Sequence, residues 1–172
     1  MVDLSPPDEA EQLRQLHALN RQFERIVPHN RWLGLELVEL APARATFRLP
    51  YAEKLVGNPE TGVLHGGAIS AAMDAACGTA VFQALKKPMF IATLDLRIDY
   101  LKPATPLQAV TLRAHCYKVT RSVAFVRGLA FHDDESDPIA SGAGSFMLGT
   151  RSSRAAEDDK DDRGDERAKG GE

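Results

Sequence analysis

Residues 63–85 carry one carboxylate, Asp74, and one histidine, His65, among side chains that are otherwise uncharged and rich in Ala and Gly. No other stretch constrains the fold as tightly. Over about 65–86 the apolar residues fall all round a helical wheel instead of on one stripe, which predicts a helix buried on most of its sides. Its small residues, among them Gly67, Ala71, Ala75 and Gly78, let a sheet or a second helix come close to its backbone. A membrane span would need mostly large apolar residues and would not carry Asp74 and His65, so this helix is expected inside a protein.

Something must wrap it, and the flanking sequence supplies strands. Ala43, Ala45, Phe47 and Leu49 alternate with Arg44, Thr46 and Arg48 before Pro50 ends the run, and Leu33, Leu35 and Leu37 suggest its hairpin partner. After the helix, Ala92, Leu94, Leu96, Ile98 and Tyr100 alternate with Thr93, Asp95, Arg97 and Asp99. Val110, Leu112, Ala114 and Cys116 do the same with Thr111, Arg113 and His115. Each of these reads as a strand with one buried face. Two further β-rich runs, 122–132 and 138–148, are separated by the turn-like segment 133–137. Consecutive strands pair antiparallel. The expected fold class is therefore α+β, one long central helix wrapped by an antiparallel sheet.

The ends differ from this body. Leu13, Leu16, Leu19 and Phe23 recur at helical spacing, predicting an N-terminal helical segment within residues 1–30. From Arg151 the sequence holds eight acidic and six basic residues with almost no large apolar side chain. Such a composition does not repay the entropy of ordering, so 151–172 is expected to be a disordered tail and 31–150 the folded domain.

A formal net charge of -3 gives no global bias toward nucleic acid or an anionic membrane, so neither is an expected partner. The acidic, polar first residues lack the basic start and apolar run of a secretory signal, which places the chain in the cytoplasm by expectation. Cys77 and Cys116 have no C-x-x-C spacing and read as reduced core thiols. The five histidines, at 17, 29, 65, 115 and 132, show no ligand spacing, so no metal and no other cofactor is expected.

Chemistry concentrates at the start of the central helix. His65-Gly66-Gly67 leads into it, so backbone N–H groups and the positive end of the helix dipole face whatever lies there and can polarise a carbonyl oxygen. A glycine pair before a helix also serves as an ordinary tight turn. Asp74 is more informative, because a carboxylate in an apolar helix is costly unless structure or catalysis uses it. Seven residues separate Gly67 from Asp74, about 700° of rotation and about 10 Å of rise, so they share a face but cannot both touch one reacting carbonyl. A second copy of the helix, antiparallel across a two-fold axis, would bring Asp74 of one chain to Gly67 of the other and make the dimer obligatory.

The run Asn58-x6-His65-Gly66-Gly67-x6-Asp74, then Thr93-Leu94-Asp95 and Tyr100-Leu101-Lys102-Pro103-Ala104, resembles the hot-dog-fold acyl-CoA thioesterases of the phenylacetate-pathway (4-hydroxybenzoyl-CoA thioesterase-like) type. The resemblance covers roughly residues 33–148. It implies a curved sheet around a central helix, dimers often paired into homotetramers, and hydrolysis of acyl-CoA or aroyl-CoA thioesters. Under it Asp74 matches the catalytic carboxylate, acting as nucleophile or as general base toward water. Gly67 matches the position whose N–H polarises the thioester oxygen, Asn58 a polar residue that places substrate or water, and Thr93 a hydroxyl used in some members. His65 orients the loop in this reading. CoA phosphates call for basic residues, and Lys118, Arg121 and Ser122 match the family's basic turn, with Gly66 also at the CoA site and Lys102 a lesser candidate. Two alternatives remain open: a non-catalytic acyl-CoA-binding hot-dog protein, and a hot-dog dehydratase or hydratase, whose Asp/His arrangement is not found in this sequence.

Overall fold

The computed structural model describes residues 27–149 except 86 and 88. The predicted helix within 1–30 and the tail 151–172 lie outside the described residues, apart from the last few positions before 31. Those positions begin helix α1 (Pro28–Leu33), which runs across the expected boundary at residue 30.

Helix α1 corrects one strand expectation. Leu33, Leu35 and Leu37 are buried, but Leu33 closes α1 and only Leu37 lies in a strand, β1 (Glu36–Ala41). The cause is local punctuation: Pro28 presets the first helical turn, and Gly34 adopts φ 72° and ends the helix with its N–H on the Arg31 carbonyl. Strand β2 (Arg44–Leu49) pairs antiparallel with β1. It starts one residue later than the alternation suggests, because Ala43 stands at φ 60° in the turn after Pro42. Two hydrogen bonds hold that turn, from Ala43 N–H to the Gln83 carbonyl (3.3 Å) and from Cys116 N–H to the Ala43 carbonyl (2.8 Å).

A 3-10 turn (Glu53–Leu55) and a small hairpin of β3 (Val56–Asn58) and β4 (Val63–Leu64) precede the central helix α2 (Gly66–Ala84). This hairpin was not read from the sequence. The remaining strands are β5 (Ile91–Tyr100), β6 (Val110–Val119), β7 (Val123–Phe131) and β8 (Ala140–Leu148). The large sheet has the order β1-β2-β6-β7-β8-β5 and its pairings are antiparallel. It curves round α2, the hot-dog arrangement expected. Helix α2 packs chiefly on β2, β6 and β7, where Phe47, Leu49, Val110, Leu112 and Val126 meet Ile69, Met73, Ala76 and Val81. Each large side chain buried there contributes about 1.5–3 kcal/mol. Among the described residues no helix is long and apolar enough to cross a membrane.

Strand β5 departs from the expectation of one buried face. It is an edge strand, and Leu94 and Tyr100 are 50% and 48% exposed. Its register with β8 shifts between Thr93 and Asp95, so the phase of alternation changes there.

Cys77 and Cys116 are unpaired and buried. Burial first, and the Asp74 carboxylate second, push the Cys77 thiol up to about 12; burial raises Cys116 as well. Since the thiolate is the reactive form, Ellman's reagent is expected to find neither thiol in the native protein within minutes and both after unfolding in guanidinium. A fast-reacting thiol in the native state would contradict this packing.

Candidate active site

Helix α2 is buried over most of its circumference, on Ala68, Ile69, Ala72, Met73, Ala76, Cys77, Thr79, Ala80 and Val81. The residues left partly or fully exposed include a stripe at helical spacing: Gly67, Ala71, Asp74, Gly78 and Phe82. Gly67 and Asp74 thus share a face, and the side chains between them are small enough to admit another backbone.

The helix starts at a side-chain cap. His65 is the N-cap, and its Nδ1 accepts the Gly67 N–H at 2.9 Å, which leaves the proton of the neutral ring on Nε2. The Ala68 N–H goes to the His65 carbonyl at 3.0 Å. The donor assigned from sequence to the thioester oxygen, Gly67 N–H, is therefore already engaged within the chain. A carbonyl that uses it must take the place of His65 Nδ1. The Gly66 N–H beside it has no acceptor among the described residues.

Asp74 is half-buried, and its Oδ1 accepts a 2.8 Å hydrogen bond from the Thr93 hydroxyl. Alternation alone puts Thr93 on the polar outer face of β5. The bulge after it reverses that, so Thr93 lies opposite Phe146, whose side chain is in the core, and turns toward the helix. With Oδ1 held, Oδ2 stays available at the stripe.

Two residues complete this face: Tyr100, which the sequence motif includes without a role, and Ser70. The Tyr100 hydroxyl donates to the Gly66 carbonyl (2.5 Å), and because its one proton is used there it accepts from Ser70 Oγ (2.7 Å). The signal for Ser70 was available, since it lies three residues after Gly67 and four before Asp74, on the same helical face. Tyr100 reaches the helix only through the strand pairing.

Asn58 ends β3 and shapes the 58–62 turn: its Oδ1 accepts the Glu60 N–H (2.9 Å) and its carbonyl the Gly62 N–H (2.8 Å). No hydrogen bond joins it to Asp74. Lys118, Arg121 and Ser122 are exposed around the β6–β7 turn, closed by Thr120 Oγ1 with the Val123 N–H (3.0 Å) and carbonyl (2.7 Å). That turn stands at the end of the sheet where β5 begins, the Thr93 end, because Val123 pairs with Met147 and Phe146 with Thr93. Gly66 stands at the other end, against Tyr100. One chain therefore does not gather the basic turn and the Gly66-Gly67 terminus in one place. Lys102 is paired with Asp137.

The Thioesterase superfamily profile matches residues 61–139, a span that includes His65, both glycines, Asp74, Thr93 and the β6–β7 turn. Over 147 residues the chain is 31% identical to the medium/long-chain acyl-CoA thioesterase YigI of Escherichia coli, covering 78% of this chain and 94% of that one. The chain belongs to the thioesterase superfamily. Among solved structures, a Pseudomonas aeruginosa protein is 44% identical, with a TM-score of 0.67, over 74% of this chain and 95% of that one. A mutant of the phenylacetic acid degradation protein PaaI from Thermus thermophilus is 25% identical, with a TM-score of 0.62, over 70% of this chain and 98% of that one.

Proposed function

We propose that this thioesterase-superfamily chain hydrolyses acyl-CoA thioesters at a site shared between two antiparallel copies of α2. The observation that carries the reading is Asp74: a carboxylate on the small-residue stripe, oriented by Thr93, in a helix with no other acid. The name of the E. coli relative supports acyl-CoA as the substrate class.

In the proposed reaction the thioester oxygen replaces His65 Nδ1 as acceptor of the Gly67 N–H, with the Gly66 N–H beside it. These donors stabilise the oxyanion as the carbonyl carbon becomes tetrahedral. Asp74 from the other subunit either attacks that carbon, giving an anhydride that water then opens, or takes the proton of an attacking water. Both routes break the C–S bond, release CoA as its thiol and leave the free acid. Asn58, whose amide N–H₂ has no acceptor among the described residues, holds substrate or water. Lys118, Arg121 and Ser122 take the CoA phosphates, and their position at the Thr93 end fits a CoA that crosses from one subunit to the other.

The dimer is part of the proposal, because about 10 Å of helix separates Gly67 from Asp74 within one chain. The free edge of β5, the exposed Leu94 and Phe82 and the stripe of small residues form one uncovered surface suited to a second copy. Pairing of such dimers into homotetramers is part of the same proposal.

The test combines sedimentation with thiol release from short, medium, long and aromatic acyl-CoAs. A dimer, or a multiple of one, that frees CoA from at least one of them is expected. An active monomer would rule out the shared site. A folded dimer that binds acyl-CoA but releases no thiol would move the assignment to a binding protein.

A further inference from the structure

A groove of about 300 Å³ runs between α1 and the start of α2. Its floor is aliphatic, made by Leu33, Leu55, Val56 and Ala68, and one end is formed by His65 and Gly67. At the mouth stands Trp32, 53% exposed yet held in place. The His29 ring stacks on it (centroids 5.9 Å apart, 12° between planes), Lys54 Nζ lies 5.0 Å from its ring centre, and the same ammonium donates to the Trp32 carbonyl. Two contacts, from the His29 ring and the Lys54 ammonium, thus hold the indole itself at the mouth of an open apolar groove.

We infer that this groove holds the acyl chain of the substrate, with Trp32 standing against the chain at its mouth. The inference rests on the hydrolytic reading and extends it to substrate class. A thioester whose oxygen sits at Gly67 N–H has one arm beside the groove, because Gly67 itself lines it. The aliphatic floor suits a hydrocarbon and not a nucleotide. Among the described residues Lys54 is the only Lys or Arg on the lining, and its ammonium is already engaged by the Trp32 carbonyl, so phosphates find little there. Size then selects among acyl groups: a cavity of ~150 Å³ accommodates a six-carbon ring, so this groove matches an unbranched chain of roughly eight to twelve carbons. Acetyl groups would leave it empty.

Trp32 is the only tryptophan in the chain, so its fluorescence reports the groove directly and without turnover. The full-length protein is titrated with a non-hydrolysable CoA thioether bearing an 8-bromooctyl chain, with the unbrominated octyl thioether and CoA alone as controls. Thiol release from acetyl-, butyryl-, octanoyl- and dodecanoyl-CoA is measured in parallel, for the parent and Val56→Phe. Saturable quenching by the brominated chain only is expected. Val56→Phe, which narrows the floor, is expected to raise KM for octanoyl- and dodecanoyl-CoA by about tenfold or more while butyryl-CoA changes less than about threefold. Calorimetric binding of the brominated thioether without quenching, or an equal response to CoA alone, would overturn the groove assignment. Continued thiol release in that case would leave the hydrolase reading standing. Absence of both binding and turnover would overturn both.

Discussion

Asp74→Asn is expected to lower thiol release from the preferred acyl-CoA by about 10²–10⁴-fold while the protein melts within a few degrees of the parent. Asparagine keeps the shape of the side chain and an oxygen that can accept the Thr93 hydroxyl, so the helix and the bulged strand stay in place. What it lacks is a basic, nucleophilic oxygen at Oδ2. The loss should fall on kcat, because the chain of contacts that binds CoA does not pass through this carboxylate. Thr93→Val, measured alongside, leaves the carboxylate and removes its orienting bond, and about a tenfold fall in kcat with little change in KM is expected. Turnover by Asp74→Asn near the parental rate would remove Asp74 from the reaction and with it the main support for hydrolysis at this face.

Gly128→Val is expected to cost the fold about 3 kcal/mol, read as a fall of about 10 °C in Tm. Gly128 on β7 pairs with Gly142 on β8, and together they leave a hollow in the middle of the sheet that Met73 of α2 fills. A Cβ at Gly128 would lie 2.5 Å from Met73 Sδ, and one at Gly142 3.2 Å from Met73 Cγ. Met73 is fully buried, so a shift of its thioether has to displace the core side chains packed around it. Combining Gly128→Val with Met73→Ala should therefore cost less than the sum of the two changes, with a coupling of about 1–2 kcal/mol in a double-mutant cycle. Strict additivity would show that Met73 does not set the distance between helix and sheet.

Much of this was legible from residue order. The helix that starts after His65 declared itself by being apolar all round, and β6 by a strict alternation that the burial of Val110, Leu112, Ala114 and Cys116 reproduces. Asp74 stood out because a lone acid in such a helix is costly, and its shared face with Gly67 followed from the helical repeat alone. Glycine and proline carried the signal that was passed over at α1: Pro28 and Gly34 set a helix where the leucine spacing suggested a strand.

The features that only the tertiary structure decided share one physical cause, which is that they depend on partners far away in sequence. Thr93 faces Asp74 because the pairing of β5 with β8 slips by one residue, and a bulge belongs to two strands, so alternation along one of them cannot show it. Tyr100 meets Ser70 and Gly66 for the same reason, across a strand and a helix that the sequence separates. The groove beneath Trp32 exists because α1 docks beside the start of α2, and the Lys118–Ser122 turn and Gly66 come to opposite ends of the sheet through strand order. Local sequence determined which segments were helix or strand and which residues were chemically unusual, because those depend on period and on near neighbours. Which of those residues meet was settled by register and packing, where one residue of slip reverses the direction of every side chain beyond it.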